Sequence, residues 1–154
     1  MPNPESPSVA ICASASFYPQ IIELSYAIEA MGIRPVLPST AEKMKHNGKE
    51  NIEAVTDWSA SPAGYHGKAL LIREHFGEII GSDAILVANY EKHGMADYIG
   101  PNVLMEMAVA FERRKPIFIL NECPEVSPFK DEILGLEPVF MAGNLAVLNS
   151  LKNS

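Results

Sequence analysis

The sequence predicts an α/β fold: a single doubly wound domain, flavodoxin-like or Rossmann-like, built around a five-stranded, mostly parallel sheet. Short apolar runs alternate along the chain with segments whose apolar residues recur every three or four positions. The strand segments are apolar throughout, as expected for strands that helices cover on both faces. A chain of 154 residues with 47% apolar and 20% charged residues has the size and composition of one globular domain.

Five apolar runs predict the strands. The first run, residues 9–12, ends in a loop of small residues. The other predicted strands cover residues 33–37, 83–89, 116–120 and 139–141. Because β-α-β connections of this kind are almost always right-handed, the order of elements predicts helices on both faces of the sheet.

The helices are predicted from spacing and from glycine stops. Helical spacing runs from about residue 19 to Gly32, from residue 68 to Gly81, and from about residue 102 to 114. A short helix is expected near residue 133 and a last helical turn at 145–151. Residues 39–66 are polar and rich in helix breakers. This composition predicts a long excursion from the regular β-α alternation, with a short helix near 49–55. Residues 1–7 are expected to form a disordered tail, and residues 8–154 the single domain.

Charge and composition exclude several classes of function. The net charge is −7, which disfavours binding to duplex nucleic acid, although a local basic pocket for one nucleotide stays open. No run approaches the ~18 apolar residues of a membrane span, and the N-terminus does not have the pattern of a signal peptide. We therefore expect a cytoplasmic protein with no membrane partner and with reduced cysteines.

Common cofactor and metal motifs are missing from the sequence. The loop after the first strand has no glycine fingerprint for dinucleotides, and Ala69 follows Gly67-Lys68 where a phosphate-binding loop needs Ser or Thr. The four histidines and two cysteines lack metal-ligand spacing. The sequence thus predicts no metal and no cofactor.

One carboxylate stands out at the predicted ligand-binding end of the sheet. Glu106 lies about one turn into a predicted helix, between Met105 and Met107. One interpretation is an N-terminal charge that stabilises the helix. The other is a nucleophile, held ionised by helix amides, that attacks an anomeric carbon and forms a glycosyl-enzyme intermediate.

The stretch SDAILVAN…YIGPNVLMEMAVA…RKPIFILN, within residues 82–121, resembles the nucleoside 2-deoxyribosyltransferase-like family. That family includes deoxyribosyltransferases and nucleoside 5'-monophosphate N-glycosidases. The resemblance implies a nucleophile at Glu106, a small-molecule nucleoside or nucleotide as substrate, and a homodimer or higher homo-oligomer. It also implies that the loop after the first strand lines the base or sugar pocket, with Ser14, Ser16, Phe17 and Tyr18 as candidates.

Two further candidates for catalysis are His75 and Tyr18. The family often has an Asp eight residues before the Asp of the third strand, and here that position is His75. His75 is either a general acid or base, or a half-buried structural residue. Tyr18 either holds the nucleophile by a hydrogen bond or packs at the start of a helix.

The loop before the Glu106 helix supplies the remaining candidate ligand contacts. They are Asn89, Asp97, Tyr98, Gly100 and Asn102. Asn89 would bind a ribose hydroxyl or only hold the loop, and Asn102 would contact the ligand or only cap the helix.

These observations leave three hypotheses for the function. The first is cleavage or transfer of an N-glycosidic bond through a covalent glycosyl-Glu106 intermediate. The second is a non-catalytic module that binds or senses a nucleotide. The third is a flavodoxin-like scaffold for protein partners, which predicts an exposed apolar patch.

Overall fold

The computed structural model describes residues 2–48, 59 and 62–153. The strands are β1 Ser8–Cys12, β2 Arg34–Val36, β3 Ala84–Val87, β4 Ile117–Ile119 and β5 Val139–Phe140. The helices are α1 Tyr18–Ala30, α2 Ser39–Asn47, α3 Pro62–Ile80, α4 Pro101–Glu112 and α5 Lys130–Gly135, with 3-10 helices at Ala15–Phe17 and Leu145–Asn153. The strands form one five-stranded sheet in the order β2-β1-β3-β4-β5, and every pairing is parallel. The predicted fold class is confirmed.

The two faces of the sheet bury separate apolar clusters. Val9 and Ile11 of β1 pack in the cluster that includes α1 and the C-terminal 3-10 helix. Ala10 and Cys12, which alternate with them, pack in the cluster that includes residues of α3, α4 and α5. Cys12 therefore lies on the face that α3 and α4 cover.

The strand order reverses beside β1. The chain passes from β1 to its neighbour β2 on one side, and β3 pairs with β1 on the other side, with Cys12 opposite Val87. Loops that leave β1 and β3 at their carboxyl ends diverge at such a point and leave a crevice for a ligand.

The region predicted as a long excursion contains helical segments. α2 covers Ser39–Asn47, where the sequence predicted a loop. Ala41 and Met44 are its buried residues, too few for a clear apolar pattern, and the Lys45 ammonium lies 2.8 Å from Glu29 of α1. The short helix predicted at 49–55 and Trp58 lie outside the described residues.

One of the larger helices begins earlier than predicted, and another begins within one residue of its predicted start. α3 begins at Pro62 rather than near Lys68, and its first turns include Gly64 and Gly67, whose low helix propensity conceals them in the sequence. α4 begins at Pro101, with Gly100 at the N-cap. None of the helices in the described ranges is long and apolar enough to cross a lipid bilayer.

Candidate active site

A cavity of about 310 Å³ lies at the carboxyl end of the sheet. Its walls come from the loop after β1, the start of α2, one face of α3, the loop that precedes α4, and the first turns of α4. Seven residues predicted from the sequence line it: Ser14, Tyr18, His75, Tyr98, Gly100, Asn102 and Glu106. The crevice at the switch point and the predicted site therefore coincide.

Glu106 lies in the second turn of α4 and not in the first. α4 begins at Pro101, so Glu106 is its sixth residue, and the first turn has no acidic residue. Because the helix dipole acts within the first turn, the N-terminus does not hold this carboxylate ionised. The interpretation of Glu106 as a helix-stabilising charge is wrong for the same reason.

The neighbours of Glu106 come from other elements on the same face of the sheet. His75 Nε2 of α3 lies 3.7 Å from Glu106 Oε2, and the Glu106 side chain is only 16% exposed. On its other side the His75 ring is held by Glu78, whose Oε2 lies 2.6 Å from Nδ1. His75 is thus a buried histidine between two carboxylates, one of which faces the cavity.

The charges of this cluster shift one another's pKa values. Burial raises the pKa of Glu106, and the nearby Glu78 charge adds to this, while His75 and the neighbouring Cys12 thiol act in the opposite direction. Burial opposes the charged form of His75, but the hydrogen bond to Glu78 and the charges of Glu106 and Glu78 outweigh it and raise the pKa of His75. The cluster thus favours a protonated imidazole beside the carboxylates.

Cys12, the last residue of β1, joins this cluster although the sequence did not single it out. Its Sγ lies 3.7 Å from His75 Nε2, on the side away from Glu78. Burial, followed by the proximity of the Glu106 carboxylate, raises the pKa of the Cys12 thiol well above its usual value. A fully buried, neutral thiol is not itself a nucleophile for a bound ligand.

Tyr18 lies at the start of α1, on the cavity wall. Burial first, and then the charges of Glu106 and Glu78, raise the pKa of Tyr18 to about 12. No hydrogen bond joins Tyr18 to Glu106 in the part of the chain that the structure describes, so the predicted bond is not formed here. The hydroxyl stays protonated at neutral pH and can donate a hydrogen bond to a ligand.

Tyr98 also lines the cavity, and its neighbours hold its ring in place. Its ring packs edge-on against Phe17 at 6.4 Å between centroids, and the Lys92 ammonium lies 5.0 Å from its centroid. A Cβ atom at Gly100 would come within 2.9 Å of the Tyr98 hydroxyl oxygen, so glycine is what allows this close approach. Lys92 also donates a hydrogen bond to Ser14 Oγ at 2.9 Å, which links the loop after β1 to the loop before α4 on the cavity wall.

Four predicted contacts do not line the cavity. Phe17 is buried, with its ring edge-on to the rings of Tyr90 and Tyr98. Ser16 is exposed, with its Oγ 3.0 Å from Ser14 Oγ. Asn89 is fully buried: its Nδ2 donates to the Asp97 and Glu122 carbonyls, and its Oδ1 accepts from the Asn121 amide. Asn89 therefore holds loops together, as its alternative interpretation had it, and Asp97 contributes its backbone to that junction.

Asn102 lines the cavity but does not cap α4. The N-cap is Gly100, and Pro101 begins the helix. The capping interpretation of Asn102 is therefore wrong: the helix begins at Pro101, a residue type favoured at the first helical position, so the cap lies two residues before Asn102.

The chain matches no protein-family model and no curated protein sequence. The resemblance over residues 82–121 therefore stays a prediction.

Proposed function

We propose that the protein cleaves or transfers the N-glycosidic bond of a nucleoside or nucleotide, with Glu106 as the nucleophile. The observation that carries the proposal is a partly buried carboxylate, 16% exposed, on the wall of a cavity, beside a histidine whose second nitrogen is held by Glu78. A carboxylate that faces a cavity of ligand size and has a charged neighbour is a candidate for covalent catalysis.

The reaction has two displacements at the sugar carbon. A Glu106 oxygen bonds to C1' as the bond from C1' to the base nitrogen breaks, and the base leaves with that electron pair and takes a proton from water. Water or a second base then attacks C1', and the ester bond to Glu106 breaks. Two displacements on the same carbon give a product with retained configuration.

His75 acts in this proposal as a positioning residue for Glu106. Its Nε2 faces Glu106 and Cys12, and its Nδ1 is bound by Glu78, so its ring nitrogens are directed at these neighbours and not at a leaving base. The protonated ring stabilises the carboxylate before attack and holds its orientation. Tyr18 is the side chain that stays protonated and available to the ligand.

The charges on the cavity wall favour an anionic substrate. The described wall has two lysines, Lys68 and Lys92, and His75, whose pKa its carboxylate neighbours raise despite burial, against one carboxylate. Local positive charge of this kind attracts a phosphate although the whole chain is acidic. We infer that a nucleoside monophosphate is a better substrate than the corresponding nucleoside.

The proposal is tested by release of free base from a panel of nucleosides and nucleoside monophosphates, measured by chromatography with EDTA present. Glu106→Ala should abolish release, whereas Glu112→Ala, at an exposed glutamate of the same helix, should leave it unchanged. Release that survives Glu106→Ala contradicts the nucleophile. Saturable binding without any product contradicts the enzyme and supports the module that only binds the nucleotide.

We also propose that the chain forms a homo-oligomer through α4. Met105 is 42% exposed at the rim of the cavity, and Phe111 is 49% exposed further along the same helix. Sedimentation of the wild type should give at least a dimer, and Phe111→Ser should weaken it. A wild type that is monomeric at all concentrations contradicts this assembly.

A further inference from the structure

Three potential metal ligands converge beneath the cavity from three separate elements. They are Cys12 Sγ of β1, His75 Nε2 of α3 and Glu106 Oε2 of α4, and all lie within 4.8 Å of one another. Two of the separations are 3.7 Å, from His75 Nε2 to Cys12 Sγ and from His75 Nε2 to Glu106 Oε2. The elements meet because α3 and α4 cover the face of the sheet to which Cys12 belongs.

The two separations from His75 are close to those around one tetrahedral ion. With zinc bonds of about 2.3 Å to sulfur and about 2.0 Å to nitrogen and oxygen, tetrahedral angles put S and N about 3.5 Å apart and N and O about 3.3 Å apart. The two distances from His75 therefore need a contraction of only tenths of an ångström. Cys12 Sγ and Glu106 Oε2, which lie within 4.8 Å of each other, would have to come to about 3.5 Å in the complex.

Glu78 supplies the support that metal-bound histidines usually have. Its Oε2 lies 2.6 Å from His75 Nδ1, so in a metal complex Nδ1 keeps its proton and Nε2 presents its lone pair. Metal-ligating histidines commonly donate their other ring N–H to a carboxylate in this way, which fixes the tautomer and the ring orientation.

One of the three ligand atoms makes no hydrogen bond. Glu106 Oε2 is buried and has no hydrogen-bond partner among the described residues. A buried carboxylate oxygen without a partner is costly, because its desolvation is not repaid by a hydrogen bond. A cation at the centre of the three ligand atoms would satisfy it.

We propose that Cys12, His75 and Glu106 bind one Zn²⁺ ion, whose fourth ligand position opens into the cavity. A thiolate, an imidazole and a carboxylate favour zinc over magnesium or calcium, which prefer oxygen ligands alone. His75 and Glu106 line the cavity, whereas Cys12 is fully buried behind them. The fourth coordination position of the ion therefore faces the cavity. Binding breaks the S–H bond of Cys12 and releases that proton to solvent, together with the proton of His75 where the ring was charged.

This site could not be predicted from spacing, because its ligands are distant along the chain. Cys12 and His75 are 63 residues apart. The proposal does not depend on the proposed enzyme activity. It does compete with it, because the same Glu106 carboxylate would serve as ligand in one form and as nucleophile in the other.

The test is titration of the purified, metal-free protein with Zn²⁺ by calorimetry and with Co²⁺ by absorption spectroscopy. We expect one ion per chain and, with Co²⁺, the near-ultraviolet band of a thiolate-cobalt bond. Cys12→Ser should abolish the band, whereas Cys123→Ser, at the other free cysteine, should keep it. Glu78→Gln should weaken Zn²⁺ binding about tenfold by loosening His75.

The wild-type spectrum decides the proposal even where a variant folds poorly. Absence of the thiolate band, a band that survives in Cys12→Ser, or zinc binding that neither Cys12→Ser nor Glu106→Gln weakens would each overturn it. Circular dichroism of the metal-free variants shows which of them can be compared with the wild type.

Discussion

Glu106 is the residue at which stability and function oppose each other. Burial and the nearby Glu78 raise the pKa of Glu106, so the ionised form needed for attack is the form that the folded protein disfavours. A group with a raised folded-state pKa stabilises the fold most below its unfolded pKa. That contribution is lost as the pH rises through the folded pKa. At neutral pH, Glu106 therefore costs stability that a neutral residue of the same shape would not.

At the residue scale, Glu106→Gln should raise the free energy of unfolding at pH 7 by about 1 kcal/mol, because it removes a poorly solvated charge from a buried site. Thermal unfolding of the metal-free proteins in EDTA measures this difference. The gain should shrink as the pH falls through the raised folded-state pKa toward 4.5, and it should be absent below 4.5, where the unfolded glutamate is also protonated. A variant less stable than the wild type at pH 7 contradicts a disfavoured charge at Glu106.

The pH profile of base release should report the same pair of residues. Activity needs ionised Glu106 and protonated His75, and both pKa values are raised. The acid limb of kcat/KM should therefore lie above pH 4.5 and the alkaline limb above pH 6.5, measured in EDTA. His75→Gln should remove the alkaline limb while the acid limb stays; an unchanged profile in that variant shows that His75 does not position Glu106.

At the scale of elements, the parallel packing of the sheet brings distant residues together. β1, α3 and α4 meet on one face, which places Cys12 under His75 and Glu106. Spacing along the chain predicts the strands and the larger helices, because each has its own apolar pattern. It does not predict which polar residues of separate elements share a face, and so Cys12 was missed.

Two local features were not predicted from the sequence, and each has a physical reason. α2 buries only Ala41 and Met44 and is held to α1 by an ion pair, which the apolar pattern does not record. The helix start at Pro101 moved Glu106 out of the first turn, and with it the expected source of its stabilisation. The position of Glu106 on the cavity wall was predictable, but its electrostatic environment was not.

The loop before α4 gives a prediction at this scale. In Gly100→Ala the added methyl group would lie 2.9 Å from the Tyr98 hydroxyl oxygen, so the ring must move into the cavity or away from Phe17. We expect kcat/KM for base release to fall about tenfold, since small displacements at a binding wall are costly. Gly77→Ala, where a Cβ meets no atom within 4 Å, is the matched control and should keep wild-type kcat/KM. Equal activity of both variants would show that Tyr98 does not shape the site.

At the scale of the whole molecule, the nucleotide and the zinc ion proposed for this cavity both depend on the Glu106 carboxylate. An acidic chain of net charge −7 carries a wall with two lysines around the one described carboxylate of the cavity. The nucleotide would occupy the cavity, and Zn²⁺ would occupy the ligand atoms at its base. Binding of the ion uses the Glu106 oxygen that faces His75 and cancels the charge of the nucleophile.

Zinc should therefore inhibit base release, and EDTA should restore it. Inhibition should follow the occupancy of the site measured by titration, and should be lost in Cys12→Ser at zinc concentrations that inhibit the wild type. The Cys123→Ser variant is the control and should be inhibited like the wild type. Turnover that is unaffected at full zinc occupancy would show that the ion and the nucleophile do not share Glu106.

The most direct test of the central claim is mass spectrometry of the protein quenched during turnover of a nucleoside monophosphate in EDTA. The account predicts an added mass equal to the sugar phosphate, located on the peptide that contains Glu106 and missing from Glu106→Gln. Base release with no adduct, or with the adduct on another residue, would contradict a glycosyl-Glu106 intermediate.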